Sequence, residues 1–302
     1  MIERSDAQEL DVVDPLARWR DEFVIPDPKL IYLDGNSLGR TPKRTVEALH
    51  RVVEQWSGDL ISSWWEHDWL NLAFTIGDEL APLLGAGPGE VVVHESTTVG
   101  IFQQVNVALD LTGDLGRRRV VAVAGDDFPT DRYVVEGIAR LRDVEVRRSL
   151  DDLEGVDVVL RSLVDYRTAE LADLEGETER ARRAGAVTVW DLSHAAGVLE
   201  LDLPSAGVDL AVGCTYKFVN GGPGAPAFVY ASRHLHDRVT QPIWGGSPRT
   251  TSSRWSDPST RSRASGGCST AHHRCSVSPL RGRESNCRSR RGSARFQRRP
   301  ER

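Results

Sequence analysis

Two apolar runs that end abruptly in polar residues constrain the fold more than any other feature of this chain. The first is Val187-Thr188-Val189-Trp190-Asp191, continuing as Leu192-Ser193-His194. The second is Gly213-Cys214-Thr215-Tyr216-Lys217, continuing through Phe218-Val219 into Asn220-Gly221-Gly222-Pro223-Gly224. A short β-rich apolar run bounded by turn residues reads as a buried strand of a parallel sheet. Its terminal polar residue is then delivered at the C-terminal edge of the sheet, where open α/β folds bind ligands. Asp191 and Lys217, twenty-six residues apart, are expected at that edge.

The rest of the chain repeats the pattern. Val91-Val92-Val93 precedes a helix opening near Thr97-Thr98 and running towards Leu109. Val120–Ala124 precedes a helix from about Asp131 to Leu141. Val144-Glu145-Val146 and Asp157–Leu160 read as strands, Glu170–Ala184 as a charged helix closed by Gly185, and Ala227–Tyr230 as a last strand. Upstream, Val46, Leu49, Val53, Trp56 and Leu60 form one apolar stripe at helical spacing. Strands alternating with helices predict an α/β fold, a mostly parallel sheet sandwiched by helices.

Composition divides the chain near residue 246. Residues 247–302 hold fourteen Arg, no Lys, thirteen Ser and three acids, a net +11, which leaves −17 for residues 1–246 of the total −6. The acidic body argues against nucleic acid as its ligand. The tail has Val277 and Leu280 as its long aliphatics, too few for a core, and is expected to be disordered. It reads either as a basic arm for RNA or, the better fit, as a GC-rich coding sequence translated out of frame. Cys268, Cys275 and Cys287 lie in that tail and Cys214 alone in the body, which is not a disulfide framework. With no signal peptide and no apolar run near the roughly eighteen residues a membrane span needs, a cytoplasmic protein is expected.

A lysine and a carboxylate at one sheet edge suit pyridoxal 5′-phosphate: the amine bonds the cofactor aldehyde, and Asp191 keeps the pyridine nitrogen protonated. The same pair could equally form a strand-end salt bridge. Thr97 and Thr98 open a helix as a phosphate cradle or as an ordinary N-cap. Phe128, in Phe128-Pro129-Thr130-Asp131, could lie on a planar ring or simply in the core, and His194 could touch that ring or only cap a loop. No metal site is expected.

Taken together and in order, these segments resemble the kynureninase family of fold-type-I pyridoxal phosphate enzymes. The resemblance is carried by Tyr32-Leu33-Asp34-Gly35-Asn36-Ser37-Leu38-Gly39, Phe128-Pro129-Thr130-Asp131, Trp190–Gly197, Gly213–Lys217, Asn220–Gly224 and Gln241-Pro242-Ile243, spanning roughly residues 28–245. It implies a large cofactor domain over residues 1–246 and a homodimer. Lys217 is implied as the cofactor lysine, Asp191 as partner of the ring nitrogen, and Tyr216 as a phosphate and proton-relay group. Thr97 and Thr98 would hold phosphate, Phe128, Pro129, Thr130 and Asp131 the ring, with Ser162 and His194 close by and Ser37 facing substrate. The implied reaction is hydrolysis of L-kynurenine to anthranilate and L-alanine. Two departures stand out. The family follows Gln-Pro-hydrophobic with Gly-Trp-Phe-Gly, where this chain has Trp244-Gly245-Gly246-Ser247. The small domain that supplies the arginine for the substrate carboxylate has no counterpart here, so little activity is expected. A cysteine desulfurase would need a reactive Cys on a flexible loop, and an inactive fragment with an RNA-binding tail is the remaining alternative.

Overall fold

The computed structural model describes residues 3–113 and 116–243. The basic tail, and Trp244 onward in the resemblance, lie outside the described residues. Among the described residues seven helices, α1 (Arg4–Val13), α2 (Lys43–Asp59), α3 (Ser63–Glu66), α4 (Leu72–Leu80), α5 (Thr97–Leu111), α6 (Pro129–Arg142) and α7 (Leu174–Arg183), accompany seven strands. The strands are β1 (Val91–His94), β2 (Val120–Val123), β3 (Glu145–Arg147), β4 (Val158–Ser162), β5 (Val187–Asp191), β6 (Leu210–Cys214) and β7 (Ala227–Ala231), in the order β1-β7-β6-β5-β4-β2-β3. Pairing is parallel from β3 through to β6, while β7 runs antiparallel to both β6 and β1. The expected mostly parallel sheet is present, with its direction broken by that one strand.

Burial explains the strand composition. β5, β6 and β7 are covered on both faces, so they are apolar almost throughout. One face packs Val189, Leu210, Val212 and Val229 against Ile101, Val105 and Leu109 of α5. The other packs Trp190, Ala211, Phe228 and Tyr230 with Leu84, Leu192 and Leu203. Each such aliphatic, fully buried, contributes about 1.5–3 kcal/mol. The buried indole N–H of Trp190 donates to Thr178 Oγ1 on α7 at 2.9 Å, so the polar edge of that ring is satisfied.

Three local expectations need correction. The charged helix begins at Leu174, not Glu170, because Asp173 caps it by accepting from Gly176 N while Leu171 forms an isolated bridge with Val164. Gly185 does follow its end in the left-handed region, at φ +83°. The strand expected to run to Lys217 ends at Cys214, and Lys217 stands in the following turn. Finally, the apolar stripe on α2 exists but is not buried: Leu49, Val53 and Trp56 are 57–64% exposed.

Candidate active site

The C-terminal ends of β4, β5 and β6 bring the predicted residues together. Register pairs Ser162 with Asp191 and Asp191 with Val212, which sets the ends of three adjacent strands side by side. Asp191 is buried, and its Oδ1 accepts from Ser193 N at 2.8 Å. Lys217 is 7% exposed although it leaves the sheet in a turn. That turn is fixed by Asn220 N donating to Lys217 O at 3.0 Å, by Gly221 N donating to Thr215 O at 2.8 Å, and by Asn220 itself at φ +61°. Lys217 Nζ lies 2.9 Å from His194 Nε2 and 5.7 Å from the ring centres of both Phe128 and Tyr216.

The N-terminal segment closes over this turn. Gly39 N donates to Tyr216 O at 2.9 Å. A Cβ at residue 39 would collide with the Lys217 carbonyl and the Asn220 side chain, so the close approach requires glycine. Tyr32 Oη donates to Leu38 O at 2.6 Å and holds the loop that carries Ser37. A cavity of about 740 Å³ opens there, lined in part by Ser37, Glu95, Ser96, Thr97 and Tyr216. Ser96, not a threonine, is the N-cap of α5, accepting from Val99 N at 3.3 Å. Thr97 is therefore not the cap, and its Oγ1 is buried without a hydrogen-bond partner. Thr98 is exposed at the second position of the same helix and does not line the cavity.

Carboxylates gather at the start of α6. Phe128 precedes α6, its ring edge-on to Tyr166 at 5.1 Å, and Pro129 and Thr130 open the helix half-buried. Asp131 accepts from Ser162 Oγ at 3.3 Å. Burial, and then the neighbouring carboxylates of Asp191 and Asp127, push Asp131 well above the usual carboxylate range. Asp127, which the sequence patterns do not single out, accepts from Ser162 N at 3.4 Å and faces Arg161 at 3.5 Å. Burial pushes it up to about 6 against the pull of that arginine. A Gly-Asp-Asp stretch looks like a solvated turn, and only the arginine projecting from β4 marks it otherwise.

His194 is held below the ordinary histidine range by burial and then by Lys217. Tyr216 is raised, chiefly by burial, and keeps its proton at neutral pH. Cys214 is buried, with its thiol raised by burial and donating to Ser193 O at 3.6 Å. It is the free cysteine among the described residues, and this setting makes it inert. The arrangement offers a buried amine beside a neutral base, a buried carboxylate one strand away, and a helix N-terminus with a spare hydroxyl.

The chain is similar to known proteins in sequence and in fold. A kynureninase of Deinococcus radiodurans is 49% identical over 240 residues, covering 75% of this chain and 57% of that protein. Kynureninases of Pseudomonas fluorescens and Burkholderia pseudomallei are each 40% identical, over 256 and 258 residues, covering 81% of this chain and 61% of theirs. Over the matched stretch, this chain belongs to the kynureninase family. It spans about three-fifths of the length of these curated relatives. No family model matches the chain. Among solved structures, a cysteine desulfurase of Escherichia coli superposes with a TM-score of 0.62 at 19% identity, over 79% of this chain and 62% of its own. A mutant of C-DES with glycine covalently linked to its PLP cofactor gives 0.63 at 16% identity, over 74% and 63%. At such identities the likeness is one of fold, and it confirms the fold-type-I architecture that the kynureninase resemblance implies.

Proposed function

We propose that this chain carries the pyridoxal phosphate site of a kynureninase, which hydrolyses L-kynurenine, or its 3-hydroxy form, to the anthranilate and L-alanine in tryptophan catabolism. One observation carries this reading: buried Lys217 meets the His194 imidazole at the sheet edge, one strand from buried Asp191. Lysine is rare here, three residues against thirty-five arginines in the total of 38 basic residues. An arginine would supply charge equally well but cannot lose its proton, so the buried lysine stands for a reactive amine.

The residues fit the cofactor. The spare Thr97 hydroxyl and the first N–H groups of α5 beside the cavity suit a phosphate. Asp191 would supply the carboxylate partner of the pyridine nitrogen, and Phe128 an aromatic wall near Lys217. When bound there, pyridoxal phosphate supplies an electron sink conjugated to the substrate Cα. Lys217 would hold the cofactor and would be the base for the Cα proton. Asp191 would pair with the ring nitrogen. Tyr216, protonated at neutral pH, is a hydroxyl donor at the cavity wall and passes protons towards the substrate carbonyl. Ser37 lines the same cavity and would face the substrate.

The exposed apolar face of α2 supports a homodimer, and the acidic body supports a cytoplasmic enzyme without nucleic-acid partners. Among the described residues no helix is long and apolar enough to cross a membrane. The desulfurase alternative finds no support in buried Cys214. Anthranilate fluorescence tests the proposal. The cofactor-loaded chain should release anthranilate slowly from L-kynurenine, Lys217→Ala should release none, and L-cysteine should yield no sulfide. Release that survives Lys217→Ala, or sulfide from cysteine, would reassign the chain.

A further inference from the structure

The aromatic wall beside Lys217 is half-buried, and contacts on its far side hold it in place. Phe128 follows the turn Gly125-Asp126-Asp127, after β2 and before α6. Asp127 holds the core side of that turn, accepting from Ser162 N at 3.4 Å and facing Arg161 of β4 at 3.5 Å. Arg167, in the loop after β4, holds the solvent side: its Nη2 donates to Asp126 O at 3.1 Å. The same guanidinium lies over the Tyr166 ring, with its carbon 5.1 Å from the ring centre. Tyr166 in turn meets Phe128 edge to face, at 5.1 Å and an interplanar angle of 84°. One arginine therefore grips both the backbone just before Phe128 and the ring that Phe128 packs against. A guanidinium can do both, since it donates in its plane and stacks through its face.

The loop that carries Arg167 is itself fixed. Asp165 Oδ1 accepts from Arg167 N at 2.8 Å, from Thr168 N at 2.7 Å and from Thr168 Oγ1 at 3.0 Å. Val164 and Leu171 close its base as an isolated bridge, and Asp165 N donates to Glu170 O at 2.9 Å. Ala169 sits within it at φ +60°, a left-handed conformation that a residue with a side chain keeps where its surroundings over-determine it. Such a loop presents its arginine in one place.

We propose that Arg167 is a positioning residue for the ring-binding wall: through Asp126 O and Tyr166 it sets Phe128 beside Lys217. This rests on the pyridoxal phosphate reading above, and Arg167 acts through Phe128. The Phe128 ring centre lies 5.7 Å from Lys217 Nζ, so a planar aldehyde bonded to that amine would bring its own ring alongside. Contacts between two rings depend on their mutual angle and offset. A wall free to turn or withdraw would leave the amine as accessible as before and give up the contact with the ring. The signature is therefore selective: affinity is lost for a ring-bearing aldehyde and kept for a ringless one.

The test compares two aldehydes. The full chain is mixed with pyridoxal 5′-phosphate, or with glycolaldehyde phosphate, which has the aldehyde and the phosphate without the ring. Condensation of an amine with either one expels water, and borohydride then fixes the product as a secondary amine, read at each lysine by peptide mass spectrometry. Lys29 and Lys43, the other two lysines, are exposed and serve as internal controls. In wild type, Lys217 should reach half-labelling at a pyridoxal phosphate concentration about tenfold below that of glycolaldehyde phosphate. Arg167→Ala should raise the pyridoxal phosphate concentration about tenfold and leave the other unchanged within about twofold. Arg167 is exposed, so its loss leaves the core intact. Phe128→Ala should show the same selective loss, and adding Arg167→Ala to it should cost no further affinity, because residues that act as one unit are not additive. A merely structural role would weaken labelling by both aldehydes or deepen the loss in the Phe128→Ala chain. Either result, or an unchanged pyridoxal phosphate curve in Arg167→Ala, would overturn the inference while leaving the cofactor reading intact. A wild-type Lys217 with no preference for pyridoxal phosphate over the ringless aldehyde would remove the cofactor reading, and this inference with it.

Discussion

Asp127 shows how a single buried carboxylate makes the site sensitive to pH. Its folded-state pKa is raised to about 6 by burial, against 3.8 for the free group. The folded chain therefore holds a proton that the unfolded chain has released. Stability from this group is fully present below about pH 4, and it is lost as pH rises to about 6. Above that range the fold carries a buried charge that Arg161, at 3.5 Å, only partly offsets. Asp127→Asn keeps an oxygen to accept from Ser162 N and removes the titration. Each tenfold change in proton affinity between the folded and unfolded chain is worth about 1.4 kcal/mol. Between about pH 4.5 and pH 7, wild type should therefore lose about 1–3 kcal/mol more than the variant. Urea denaturation at the two pH values measures this. Equal losses would mean that Asp127 reaches solvent more freely than its 4% exposure indicates.

At the scale of the element, α7 is held on the sheet partly by one buried hydrogen bond, from Trp190 Nε1 on β5 to Thr178 Oγ1. Thr178→Val preserves the shape and orphans the indole N–H, which should cost about 1–3 kcal/mol. The site lies at the strand ends, so labelling of Lys217 should be unaffected by this substitution. A drop in labelling of about tenfold would show that the helix and the site are coupled. This division also explains what the sequence reveals. Strands β5, β6 and β7 are legible because burial on both faces leaves continuous apolar runs, and Asp191 is legible because it ends one of them. The start of α7 is not, because Asp173 competes with the acidic residues before it as a cap and only the Val164–Leu171 bridge decides between them. Lys217 is expected at the end of a strand but stands in a turn, since the turn from Thr215 to Gly221 depends on contacts with Gly39 and Pro226 far along the chain. The pairing of His194 with Lys217 is invisible for the same reason: it joins two loops twenty-three residues apart.

At the scale of the molecule, the chain has an acidic body of net −17 and a basic tail of net +11. We assign cofactor capture to the body alone. Removing residues 247–302 should therefore leave the rate of Lys217 labelling unchanged within about twofold. The central claim is that Lys217 is the residue to which the cofactor bonds, and borohydride reduction of the pyridoxal phosphate complex tests it most directly. With stoichiometric cofactor at neutral pH, peptide mass spectrometry should find a single reduced pyridoxyl group per chain, on Lys217. A label spread over Lys29 and Lys43, or none retained after reduction, would contradict this assignment.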